Sequence, residues 1–555
     1  RAASKPLPQS SHGMALHVRR MSKSDYKSAG ISASRSVVRQ WITPALIAIW
    51  HVFAGVAAFP DFNLAELAWV FLVPWAIWAS QGPSLRRFLF AAWLSETIRW
   101  FLLLFWLRHV TTVGTLVIAA VLSGFSLGWF ALLHLSIPKL FRSGPGLRIA
   151  GYVGLAGFWV LIEWIRAQPW ALPWAPLAMS QWQRPALLGF TSVTGAWGLS
   201  FLIVTVNVVL GVQFSTWLTR STVRPIPRHL PETPMALLSI AGIAALSLPG
   251  GHTKDEPTLV KVVLVQPHQP AVREWTVPFM YESVERHFAE ASRAANLDGD
   301  WMAWPEGALP WPLSGPNAID HEVSEWVAST LRRPLLAGNR GYIGTSMVNA
   351  VYLFHGDGTK DPSIYAKRIL VPFGEYIPFR KALKWVETIV PMGDGFVPGR
   401  DPTVFGVNHG ERVVPVSPLI CYEDCFPSLA RESAKAGAHV FFVATYNVWY
   451  GEEHGAYQHA AHSVLRAAEN RRPVFRCGSA GWSGWIDHNG VIREVLTDDR
   501  GSIYFRGSST IQVQIPSDPR LTFYTRFGDW FVVLSGLLFT AWSFILYRKR
   551  SESIR

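Results

Sequence analysis

The chain has 555 residues, of which 50% are hydrophobic and only 16% charged, against roughly 25% charged in an average soluble domain. This excludes a disordered chain and argues against an ordinary soluble enzyme. The net charge of +13 does not describe a nucleic-acid surface, because the Lys and Arg residues lie between apolar runs, as in a membrane protein with a charge bias on one side.

Residues 1–40 hold eight Lys or Arg against one acid, Asp25. With no apolar core of its own, this stretch is expected to be a disordered basic tail. No cleavable signal peptide is expected, because the first apolar run is too long and lacks a small-residue cleavage site. Residues 41–250 are a series of apolar runs, each near the ~20 residues that span a bilayer. They fall near 41–59, 64–80, 88–107, 112–137, 149–166, 189–213 and 235–249, with an eighth near 530–547. Basic clusters lie in the tail, at Arg86-Arg87, at Lys139, Arg142 and Arg148, at Arg220, Arg224 and Arg228, and at Arg548-Lys549-Arg550. With eight spans, all five clusters share one side, which the positive-inside rule makes cytoplasmic. Residues 251–525 are then expected outside the cytoplasm, and 526–555 form a last span with a basic tail.

Residues 251–525 have ordinary polarity. TLVKVVLVQ (258–266), VVPVSPLI (413–420) and HVFFVAT (439–445) read as buried strands. Helical patterns fall between strand-like runs near 279–296, 320–331, 427–437 and 456–470, which predicts an α/β domain.

Three residues in this segment invite chemistry. Cys421 ends a strand-like run and precedes a helical pattern, where backbone N–H groups lower a thiol pKa and preorganise an oxyanion site. A free Cys is also commonly a small buried hydrophobe, and the residue alone leaves both readings open. Glu306 follows a short apolar run and suits a general base, or else a solvated loop acid. Lys367 sits between apolar residues, as an oxyanion donor or as an exposed strand lysine. Other signals are discounted. Gly124-Phe125-Ser126-Leu127-Gly128 matches the serine-hydrolase elbow but lies inside an apolar helix. His454, His459 and His462 lack a carboxylate at metalloprotease spacing and are expected to be surface or hydrogen-bonding residues. Cys425 lacks the C-x-x-C spacing of a redox pair.

A Glu, then a Lys, then a Cys on an α/β domain resembles the nitrilase superfamily of carbon–nitrogen hydrolases. Seven spans before that domain and one after it are similar to the apolipoprotein N-acyltransferase family of the bacterial inner membrane. The similar stretches are WPEGALP (304–310), YAKRILVPFGEYIPFR (365–380), ICYEDCFP (420–427), QHAAHSVLRAAENRRPVFR (458–476), FWVLIEWIRAQPW (158–170) and GAWGLSFLIVTVN (195–207). Two stretches depart from that pattern: Tyr446-Asn447 stands where the family has Asn-Asp, and Ser479 where it has Asn.

The resemblance implies an αββα nitrilase domain, extracytoplasmic, on a base of about eight transmembrane helices. It implies a catalytic set of Glu306, Lys367 and Cys421, with Trp275, Glu375, Tyr422, Glu423 and Trp449 in supporting or substrate-binding positions. It implies acyl transfer through a cysteine thioester, from a membrane phospholipid to a diacylglyceryl apolipoprotein, with no metal, organic cofactor or nucleic acid. A membrane-tethered amidase would use the same three residues. A non-enzymatic transporter or receptor would instead use Glu96, Arg99 and Glu163, ionisable residues inside apolar runs, for which interior pairing as structural glue is the alternative. Trp170, Trp174 and Trp182 in the proline-rich loop 167–188 suggest a path for lipid along the membrane surface, with helix-packing filler as the alternative.

Overall fold

A computed structural model of the chain describes residues 41–140, 143–218, 229–246, 256–269, 276–380 and 395–552. The basic tail, Arg142, Arg220, Arg224, Arg228 and Trp275 lie outside the described residues. By their contacts, residues 48–555 form one unit and residues 1–47 another, whose described part, 41–47, is helical.

Among the described residues four helices are long and apolar enough to cross a membrane by length and composition: Thr112–Leu140, Pro145–Arg166, Ala196–Leu218 and Trp530–Lys549. Shorter apolar helices occupy Trp41–Ala57, Ala65–Ser80, Pro185–Thr194 and Glu232–Ile243. Two expected runs differ from this for physical reasons. The helix Leu85–Leu103 carries Arg86, Arg87, Glu96 and Arg99, which dilute its apolarity. The run expected at 189–213 is broken at Gly195, whose φ of 68° ends one short helix before Ala196–Leu218 begins.

Close approach, not bulk, joins these helices. A Cβ at Gly157 would lie 2.5 Å from the Ser535 carbonyl oxygen, so the glycine lets Pro145–Arg166 press directly on the C-terminal helix. Phe158 stacks on Phe539 beside it, with ring centroids 4.4 Å apart. Two buried carboxylates find partners among these helices. Glu96 meets His51 at 3.0 Å and Arg99 at 2.7 Å. One oxygen of Glu163 accepts from Trp159 Nε1 at 2.8 Å and from the Leu177 N–H at 2.7 Å. Of the three tryptophans in the proline-rich loop, Trp170 faces outward, at 69% exposure, while Trp174 and Trp182 are buried. Two of the three tryptophans therefore pack the interior, as the helix-packing alternative has it.

The α/β part is a sandwich of two six-stranded sheets. The first runs β12-β1-β2-β3-β4-β5, from β1 (Thr258–Gln266), β2 (Trp301–Trp304), β3 (Leu335–Ile343), β4 (Ser346–Phe354), β5 (Tyr365–Ala366) and β12 (Gly507–Ile515). The second runs β11-β10-β9-β8-β7-β6, from β6 (Phe405–His409), β7 (Arg412–Ile420), β8 (Val440–Thr445), β9 (Val474–Gly478), β10 (Gly484–Ile486) and β11 (Ile492–Val495). The inner pairs β1/β2, β2/β3, β7/β8 and β8/β9 are parallel, and the remaining ladders are antiparallel. Strand periodicity sends Val260, Val262 and Leu264 into the core between the sheets. Val263 and Val265 face the opposite way, toward Ala291 and Ala294 of the helix Val277–Ala294. The helices Pro427–Lys435 and Gly455–Asn470 pack on the second sheet, completing the four layers.

The helix Gly455–Asn470 also ties the sandwich to the apolar helices. The buried Gln458 amide accepts from Trp174 Nε1 at 2.7 Å and Trp106 Nε1 at 3.2 Å, and donates to the Pro60 and Leu103 carbonyls at 3.2 and 3.1 Å. Glu469 accepts the Ala196 N–H at 2.9 Å, at the start of a membrane-length helix. With both ends of one helix held, the sandwich is fixed on its base.

Candidate active site

The parallel strands β2 and β7 end on the same side of the sandwich, and each delivers one reactive group. Just past β2, the Glu306 carboxylate is buried, with 8% exposure. Its Oε1 accepts from Asn349 Nδ2 at 2.7 Å and from Lys367 Nζ at 3.2 Å, and its Oε2 from the Tyr446 N–H at 2.9 Å. Lys367 follows β5 and also donates to Glu375 Oε1 at 2.9 Å. The Asn349 amide bridges the two carboxylates, donating to Glu375 Oε1 at 2.7 Å as well. Burial opposes the charge on Lys367, but Glu306 and Glu375 outweigh it and hold the ammonium well above the usual lysine range. Lys367 is therefore a fixed cation with three N–H donors. Two are spent on carboxylates and one remains.

Cys421 follows β7 and opens a short 3-10 turn, Cys421–Cys425. Its φ is 50°, the left-handed region that a non-glycine residue rarely occupies. Burial first, then the Glu306 carboxylate, push its thiol up to about 12. Lys367, the Thr445 hydroxyl and the Tyr446 N–H pull the other way. The resting group is a thiol, and ionising it requires a base. Glu306 is the carboxylate whose field the thiol feels.

Glu423 fixes the gap between the sheets. Its Oε2 accepts from Tyr365 OH at 2.6 Å and the Ile420 N–H at 2.7 Å, and its Oε1 from the Arg368 and Ile369 N–H groups at 2.5 and 3.2 Å. One buried side chain thus clamps the lysine segment to the nucleophile turn. Burial raises its pKa, against the donors that surround it. Tyr422 is buried with its ring edge-on to Phe426 at 4.9 Å. Trp449 is 39% exposed, 6.3 Å from the Tyr446 ring, and makes none of the contacts of the charged set.

The structure therefore brings Glu306, Lys367, Cys421, Glu375 and Glu423 together, and leaves Tyr422 and Trp449 at the margin. Sequence reasoning missed Asn349, Tyr365, Thr445 and the Tyr446 N–H. Asn349 carried a signal, being an amide inside the apolar strand SMVNAVYLF. The backbone donor carried none.

The surface half of the histidine reading needs correction. His459 and His462 are fully buried, and His459 is hydrogen-bonded, as the other half of that reading expects. Asp424, Cys425 and His459 hold donor atoms within 4.8 Å of one another, the spacing of a metal cluster. Yet the Asp424 carboxylate already receives Arg476 and, at 2.5 Å, the Ser463 hydroxyl. A metal would face a guanidinium there, so the cluster does not fit one. Cys425 is a free, buried thiol raised well above its usual range by burial and Asp424. It is no rival to Cys421, which has Glu306 and Lys367 beside it.

Comparison with known proteins bears on both parts of the chain. The family model of the apolipoprotein N-acyltransferase N-terminal domain matches residues 53–209, and the carbon–nitrogen hydrolase model matches residues 261–513. An apolipoprotein N-acyltransferase of Geobacter metallireducens is 26% identical over 85% of this chain and 89% of its own length. That of Chlorobaculum tepidum is 26% identical over 85% of this chain and 90% of its own. Among solved structures, Saccharomyces cerevisiae Nit3, of the nitrilase superfamily, is 18% identical over 48% of this chain and 93% of its own, with a TM-score of 0.34. The apolar helices and the sandwich match the two parts of one protein in the order in which this sequence carries them, and the chain belongs to the apolipoprotein N-acyltransferase family of the carbon–nitrogen hydrolase superfamily.

Proposed function

We propose that the chain transfers a fatty acyl group from a membrane phospholipid to Cys421, and from there to the α-amino group of the N-terminal diacylglyceryl-cysteine of an apolipoprotein. The observation that carries this reading is the placement of a buried thiol, a carboxylate and a lysine at the facing ends of two sheets on a base of apolar helices. In the first step Glu306 takes the thiol proton, and sulfur attacks the ester carbon. The third N–H of Lys367 receives the oxyanion. The C–O bond then breaks, and the lysophospholipid oxygen leaves with the proton from Glu306. In the second step the free amine attacks the thioester, Glu306 takes an amine proton, and the C–S bond breaks. The proton returns to the thiolate. Two acyl transfers replace one difficult aminolysis. Glu375 holds the lysine, and Glu423 holds the lysine segment against the nucleophile turn.

In this reading residues 41–250 and 526–555 carry about eight spans of a bacterial inner-membrane protein, and residues 251–525 form the catalytic domain on the periplasmic side. The five basic clusters support that orientation. A phosphatase fused after Asp300 is expected to be active in the periplasm, and one after Arg555 inactive. The reverse pattern overturns the orientation.

The function is tested on the purified protein in detergent with phosphatidylethanolamine. An acyl adduct on Cys421 is expected by intact mass, removable by hydroxylamine and transferable to a diacylglyceryl lipopeptide. Ammonia released from small amides faster than lipopeptide is acylated would instead make it an amidase.

A further inference from the structure

A buried histidine that takes no part in these steps holds the backbone of the nucleophile. His459 lies on the helix Gly455–Asn470, and its Nε2 is 3.0 Å from the Cys421 carbonyl oxygen and 2.9 Å from Asp424 Oδ1. Neither oxygen can donate, because one is a carbonyl and the other belongs to a carboxylate that already receives Arg476 and Ser463. The hydrogen between them therefore sits on Nε2.

The other ring nitrogen faces the Asn447 amide. His459 Nδ1 is 3.0 Å from Asn447 Oδ1, and the Thr445 hydroxyl is 2.7 Å from the same atom. Asn447 Nδ2 is buried without a partner. The two ends of an amide are told apart by their partners. With the amide turned over, Nδ2 donates to His459 Nδ1 and to Thr445 Oγ1. The Thr445 hydroxyl proton is then free to point at the thiol of Cys421, whose pKa that hydroxyl lowers.

We propose that His459 is a positioning residue for the nucleophile: its Nε2–H holds the carbonyl of the left-handed Cys421 turn, and its Nδ1, through Asn447 and Thr445, orients a hydroxyl donor onto Cys421 Sγ. The proposal rests on the reading of Cys421 as nucleophile. It explains why a residue at φ 50° keeps one orientation. A turn in that region persists only where its surroundings over-determine it. Here Glu423 holds the Ile420 N–H on one side of Cys421, and His459 holds the Cys421 carbonyl on the other.

The experiment is single-turnover acylation of the full chain from phosphatidylethanolamine micelles, followed by intact mass. His459→Phe is expected to slow acylation on the order of 100-fold, the scale of a misplaced reacting atom, with the phospholipid concentration at half-maximal rate unchanged. His459→Gln keeps an N–H for the Cys421 carbonyl and is expected to recover most of that loss. Thr445→Val preserves shape, and is expected to move the pH profile of Cys421 alkylation by iodoacetamide upward. Three results would each overturn the proposal: wild-type acylation by His459→Phe, a Gln variant as slow as the Phe variant, or an unmoved alkylation profile in Thr445→Val. A wild-type protein that forms no adduct sinks the nucleophile reading itself, and this inference with it.

Discussion

The two sheets of the sandwich are built alike, yet they contribute opposite things. The first sheet delivers a charge network paired largely within itself, with one Lys367 N–H left over. Glu306, Lys367, Glu375 and Asn349 use one another's donors and acceptors, and each sits in relaxed backbone or in a regular strand. The second sheet delivers a strained thiol. Cys421 has a positive φ and a raised pKa, and its acidic neighbours Glu423 and Asp424 turn away to hold other segments. Neither sheet is a site alone. A proton acceptor without a nucleophile does nothing, and a thiol raised to about 12 is inert at neutral pH. Reactivity belongs to the gap between them, which Glu423 spans.

That comparison is broken most severely by removing the nucleophile. Cys421→Ser is expected to lower acyl transfer on the order of 10⁴-fold or more, while Cys425→Ala, which touches neither Glu306 nor Lys367, keeps most activity. An acyl adduct on Cys425 or Cys477 would reverse the assignment.

A finer test removes the charges of the first sheet one at a time. Glu306→Gln and Lys367→Met are each expected to slow thioester formation roughly 100–1000-fold. Their effects on the thiol should have opposite signs. The Glu306 carboxylate raises the Cys421 pKa and Lys367 lowers it. The alkylation profile should therefore shift to lower pH in Glu306→Gln and to higher pH in Lys367→Met. A Glu306→Gln enzyme with an easier thiolate and a slower reaction would show that the base is needed to move the proton. Shifts of the same sign would mean that the charges act on the thiol only through the fold.

The clamp comes next. Glu423→Gln keeps the shape but turns an amide group toward backbone N–H donors. A cost of about 1–3 kcal/mol in stability is expected, together with a loss of activity smaller than that of Lys367→Met. Chemical denaturation and turnover measure the two. An activity loss with no change in stability would move Glu423 from the clamp into the chemistry.

The smallest effect concerns the base. Trp174 is buried against Gln458, whereas Trp170 faces outward. Trp174→Glu should destabilise the whole protein, with loss on every acyl donor. Trp170→Glu should leave the fold intact and, at most, weaken transfer from phospholipid while a soluble short-chain thioester still reacts. Equal behaviour of the two would remove the distinction between packing and lipid contact in this loop.

Legibility in the sequence follows the range of the interaction. Strand β1 is bounded as TLVKVVLVQ predicts, and the helices at 277–294 and 455–470 fall within two residues of their expected limits. Alternation and helical spacing are local, so they survive in any context. The apolar runs were equally visible. Their division into spans was less so, because charges within Leu85–Leu103 and the left-handed Gly195 act on helix length and not on average hydropathy.

By itself, then, the sequence determined an α/β domain framed by apolar helices, the order of Glu306, Lys367 and Cys421, and their resemblance to one family. Only the tertiary structure decided that Asn349 bridges two carboxylates, that Glu423 clamps the sheets, that His459 is buried behind the nucleophile, and that Trp174 faces inward. Each of these depends on which segments meet across large separations in sequence: Asn349 with Glu306, Glu423 with Tyr365, Trp174 with Gln458. A polar side chain in an apolar stretch announces that a partner exists. The choice of partner is made when the sheets close and burial removes water as the alternative.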